Sequence, residues 1–107
     1  PNIKERSMAD RMTAEKARDL ARAKDPSFAV DEILAGIEDA AREGKYEYST
    51  RAHGFGSGSC YGNEDKWPAL NQAIIKELRK LGFAARVRVH EGQFVDLWLE
   101  VTWASHE

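Results

Sequence analysis

The chain has 107 residues, 42% of them apolar and 32% charged, with 18 acidic against 16 basic side chains and a formal charge of −2. That length closes one core and excludes two, and the near-neutral balance excludes binding driven by bulk charge, whether to extended nucleic acid or to a membrane surface. A single cysteine excludes an internal disulfide and a cysteine-cluster zinc site, and no apolar run approaches the ~18 residues of a membrane span, so a cytoplasmic chain is expected, with no metal or cofactor.

The opening PNIKERSMADR lacks the apolar centre of a signal peptide. Residues 1–12 are expected to be a disordered or extraneous segment, with a native start at Met8, and residues 104–107 a tail; the domain is then 13–103. Thr13 is the expected N-cap of a first helix over 13–24, rich in good helix formers but with only Met12 and Leu20 as large apolar side chains. Asp25-Pro26 stops it. Phe28, Val30, Ile33, Leu34, Ile37, Ala40 and Ala41 then recur at the spacing of a buried helix face, and Gly44 supplies a left-handed cap.

A short aromatic strand over 45–51 leads into AHGFGSGSCYGNE, residues 52–64, with four glycines and the only cysteine. Trp67, Leu70, Asn71, Ile74, Leu78 and Leu81 mark a third helix, with Pro68 tolerated in its first turn and Gly82 at its end. The period then changes to two. Phe83, Ala85, Val87 and Val89 alternate with Ala84, Arg86, Arg88 and His90; Glu91-Gly92-Gln93 makes a turn; Val95, Leu97, Leu99, Val101 and Trp103 return. The order α-α-β-α-β-β predicts an α+β two-layer sandwich, with helices on one face of a small three-stranded mixed sheet. A helical crossover makes the first two strands parallel, and the most apolar strand, the last, is expected at the centre, antiparallel to its hairpin partner. The uncovered face would display Arg86, Arg88, His90, Phe94, Asp96, Trp98, Glu100 and Thr102.

Candidate function residues fall in two groups. In the glycine loop, His53, Phe55, Gly56, Gly58 and Tyr61, followed by Trp67, combine flexible backbone with rings, the composition of an adaptable recognition loop. Convergent loop amides could instead cradle a phosphate, although no Lys-Ser or Lys-Thr follows in phosphate-loop register. On the open face, Arg86 and Arg88 beside Trp98 could stack a base or hold a phosphate, but Asp96 and Glu100 on the same face oppose extended nucleic acid. Burial of that face against a partner or in a homodimer is the other reading. Cys60 has no base placed against it by spacing, so no catalytic residue is assigned.

Gly44, Lys45 and Tyr46 closing one helix, Leu81, Gly82 and Phe83 closing another, and a hairpin ending in Thr102 and Trp103 resemble a recurrent type of small phage-encoded accessory protein, over roughly residues 29–103. The resemblance implies a non-enzymatic protein made in an infected bacterial cell that binds and inhibits a bacterial host or defence protein. It carries over no catalytic residues. Sequestration of a small anionic nucleotide is the alternative.

Overall fold

The computed structural model describes residues 11–104, so the expected leader, save Arg11 and Met12, and the tail beyond Ala104 lie outside the described residues. The chain is an α+β fold: α1 (Ala14–Arg22), α2 (Pro26–Arg42), β1 (Glu47–Thr50), a 3₁₀ turn (Glu64–Lys66), α3 (Ala69–Lys80), β2 (Ala84–Glu91) and β3 (Val95–Thr102). The sheet order is β1-β3-β2. The long last strand is central, as its apolar alternation predicts. β1 and β2 run the same way, as the crossover requires, but they are not neighbours, so both ladders are antiparallel and the sheet is not hydrogen-bonded as a mixed one.

Thr13 caps α1 by accepting a hydrogen bond from the Lys16 amide at 3.1 Å, yet α1 contributes no buried residue. Its helix formers leave it little to pack with. Asp25 caps α2 through the Ser27 amide, with Pro26 in the first turn. The buried face of α2 is Ala29, Val30, Ile33, Ile37 and Ala40. Phe28 and Ala41, expected in that stripe, are exposed, because Ala29 takes the inward phase; the Phe28 ring instead lies 6.0 Å from the Arg22 guanidinium. Both glycine stops are real. Gly44 and Gly82 have φ of 84° and 99°, and beyond them the amides of Lys45 and Phe83 bond back to the carbonyls of Ala40 and Leu78.

In α3 the buried residues are Asn71, Ile74, Ile75 and Leu78; Leu81 falls past the helix end and is half-exposed. Trp67 lies in extended backbone before Pro68, the conformation a following proline imposes. On the sheet, Ala85, Leu99 and Val101 are buried in the core with the helices, Leu97 is buried beside the glycine loop and Val87 is half-buried, whereas Val89 is exposed near the hairpin tip. The helical layer also needs a close approach: Gly36 of α2 lies against the Tyr48 ring, where a Cβ would overlap it.

Candidate recognition surface

β1 stops at Thr50, opposite Leu99, so the hairpin end of β3 runs past it. The glycine loop fills that space, and it is ordered. The amides of Phe55, Gly56 and Ser57 donate to the carbonyls of Ala52, Arg51 and Gly54, and the Tyr61 amide to Gly58. Gly54, Gly58 and Gly62 take positive φ, as does His53 at 61°. Asn71, a buried polar side chain on α3, donates to the His53 carbonyl at 2.9 Å and ties the loop to the helix.

This arrangement separates the expected loop residues. Phe55 is completely buried in the core and Cys60 nearly so; the Trp67 ring is buried too, its indole N–H donating to the Gly62 carbonyl at 3.3 Å. Phe55 and Trp67 are therefore corrected from contact residues to core residues: their rings fill the space between loop and helices and offer nothing to a ligand. His53 turns toward α2, with Nε2 3.4 Å from Glu32. Gly56, Gly58 and Tyr61 stay at the surface and, with Ser57, Val95 and Leu97, line a shallow groove of about 320 Å³. Tyr61 is 53% exposed and its phenol donates to the Glu91 carboxylate at the hairpin, which raises the phenol pKa. Around it Phe94 is 78% and Val95 55% exposed.

The loop meets the open sheet face at Arg51, whereas the Tyr61 groove lies on the side of Val95 and Leu97. Gly56 packs on the stem of Arg51, where a Cβ would come within 2.8 Å of the Arg51 Cβ, so the glycine permits the arginine's path. The Arg51 guanidinium then forks onto Asp96, at 2.6 and 3.0 Å, and covers the half-buried Trp98 ring at 5.3 Å. The arginine holds the Asp96 carboxyl below the usual range through the hydrogen-bonded fork. Across the hairpin Arg88 is registered opposite Trp98 and Arg86 opposite Glu100. Arg86 bonds Glu100 at 2.9 Å, and Arg88 stands 4.0 Å from the same carboxylate. Arg86, Arg88 and Trp98 thus share the face predicted for them.

Arg51 was missed as a site residue. Extending the alternation of β1 by one residue beyond its end at Thr50 places Arg51 beside Trp98, a signal present in the sequence; its pairing with Asp96, 45 residues away, has none. Burial pushes the Cys60 thiol up, and the imidazole of its loop, His53, pairs with Glu32 instead. Among the described residues no three His, Cys, Asp or Glu side chains converge, and no helix is long and apolar enough to cross a membrane. Of the loop amides, those of Phe55, Gly56, Ser57 and Tyr61 are spent on the loop's own turns. No family model, curated protein or solved structure matches this chain.

Proposed function

We propose that this chain is a non-enzymatic recognition protein that binds another protein through the open sheet face of Arg51, Trp98, Arg88 and Arg86, with Tyr61 and Phe94 near the hairpin as flanking contacts. The observation that carries the reading is the Arg51–Trp98 stack on a sheet face that no helix among the described residues covers. Tryptophan, tyrosine and arginine dominate binding energy when they sit centrally in an interface, and here they are held in place by Asp96, Glu91 and Gly56 before any partner arrives. Inhibition of a bacterial host or defence protein is the specific form suggested by the resemblance to phage accessory proteins; occlusion of the partner's surface is its mechanism. The test is an affinity capture from bacterial lysate with the intact chain and a Tyr61→Ala, Trp98→Ala variant shown by circular dichroism to be folded. A partner kept by the first and lost by the second supports the reading; one kept by both refutes it.

A second reading has its own observation. At the other end of the sheet Lys45, Tyr46, Arg79, Arg86 and Thr102 line an open groove of about 810 Å³. Three cations and a phenol suit a small anionic nucleotide better than the glycine loop does, although Glu47 also lines the groove and Lys45, Arg79 and Arg86 already pair with Glu43, Glu64 and Glu100. A thermal shift with nucleoside phosphates that is abolished by Arg86→Ala supports this second reading, and no shift at millimolar nucleotide dismisses it.

A further inference from the structure

We infer that the free edge of β2 docks an extended acidic segment of a partner protein by strand addition. β2 is an eight-residue edge strand, and no other strand among the described residues pairs with its outer side. The Arg79 guanidinium bonds the Ala85 carbonyl, at 3.2 Å from Nε and 2.9 Å from Nη2, and so occupies that edge at its first turn. Amide and carbonyl of one residue point to the same side of a strand, so the edge groups of Val87 and Val89 follow Ala85 outward while Arg86 and Arg88 face β3. The available length is therefore Val87 to Glu91, and Arg79 sets where an added strand ends.

Charge and burial specify that strand. On the outer sheet face Arg86 and Arg88 share the one carboxylate of Glu100, which leaves one positive charge in excess on that face; Glu91, at the far end, belongs by alternation to the helix side and keeps its charge while accepting the Tyr61 hydrogen bond. On the helix side Val87 is half-buried and Val89 is 42% exposed, apolar positions that a fourth strand would cover. The matching occupant alternates acidic residues, set against Arg86 and Arg88, with apolar ones set against Val87 and Val89. A second copy does not fit. In a two-fold antiparallel pairing residues of one face must meet, so registers centred from Arg86 to Arg88 place arginine opposite arginine, and the register centred on Val89, the middle of the available edge, sets Arg88 against His90 and Val87 against Glu91, with no carboxylate for the arginine. The same charges that block self-pairing of the edge select an acidic guest.

The inference shares Arg86 and Arg88 with the proposed recognition surface but uses none of Tyr61, Phe94 or Trp98, and it is tested without any natural partner. The probe is a fluorescein-labelled, end-capped eight-residue peptide alternating glutamate and valine, measured by fluorescence anisotropy on the full chain. The expected results are a Kd at or below ~100 μM, at least ~10-fold weaker binding of the lysine–valine counterpart, and a reversed preference in Arg88→Glu. N-methylation of the internal peptide amides should remove binding, and hydrogen exchange should show new protection at Val87 and Val89. Binding weaker than ~1 mM, equal binding of the N-methylated peptide, or protection elsewhere with none on β2 overturns the inference. Arg88→Glu alters a half-exposed side chain whose carboxylate neighbour is 4.0 Å away, so the folded state is retained for the comparison.

Discussion

Phe55→Ala separates an ordered, core-building glycine loop from a loose connector. The ring is 0% exposed, at the centre of a segment whose composition suggests solvent. A phenylalanine removes ~150–200 Å² from water, which at ~25 cal/mol per Å² corresponds to about 4–5 kcal/mol. Alanine keeps a part of that burial and the cavity adds a penalty, so the expected loss is ~3–5 kcal/mol. Against a domain stability of ~5–15 kcal/mol this is a large fraction, equivalent to a fall in Tm of ~15–25 °C. Urea unfolding followed by emission from the three tryptophans gives the number directly. Tyr61→Ala, on the same loop but exposed, should cost under ~1 kcal/mol. A Phe55→Ala loss below ~1 kcal/mol, or equal losses for the two variants, would refute the packing of this loop against Asn71 and the helices.

Gly36→Ala should destabilise the fold by ~1–3 kcal/mol, despite the better helix propensity of alanine, because the new methyl meets the Tyr48 ring; calorimetry showing stabilisation contradicts that contact. The Asp96 carboxyl is depressed in the folded state, so its contribution is present above the unfolded pKa of ~3.9 and is lost as pH falls through the lower folded value. The stability gap between the native chain and Asp96→Asn should therefore be constant from about pH 6 to 8 and close below about pH 3; a gap independent of pH rules out the Arg51 fork in solution. The thiol of Cys60 is buried, and native labelling by a thiol reagent at pH 8 should run at least ~100-fold slower than in urea; equal rates mean the thiol is open.

Most of the architecture is written in local signals. Helix phase, two glycine stops followed by bonds back to Ala40 and Leu78, and a long apolar strand flanked by alternating charges together dictate α+β order and put β3 in the middle. Burial departs from the pattern where one residue of phase decides it, as with Phe28 against Ala29, and where the helix ends, as with Leu81. The loop was harder. Four glycines between residues 52 and 64 signal backbone freedom but not where the chain returns, and the bond from Asn71 to the His53 carbonyl that folds it inward joins positions 18 apart. Composition therefore made Phe55 and Trp67 look available when tertiary packing had consumed them. Arg86, Arg88 and Trp98 were legible because strand alternation assigns a face without any knowledge of the partner layer. The Arg51–Asp96 fork that holds Trp98 is a contact between distant segments, beyond the reach of any periodicity.

The central claim is that the Tyr61–Phe94–Trp98 surface meets a protein partner, and site-specific photo-crosslinking in bacterial cells tests it most directly. A benzophenone side chain placed at Phe94, 78% exposed at the hairpin tip, should give a discrete crosslinked protein that disappears when Trp98 is also changed to Ala. The same group at Glu43, beyond the end of α2, should give none. Crosslinking to the same protein from both positions, or from Phe94 regardless of Trp98, contradicts the account.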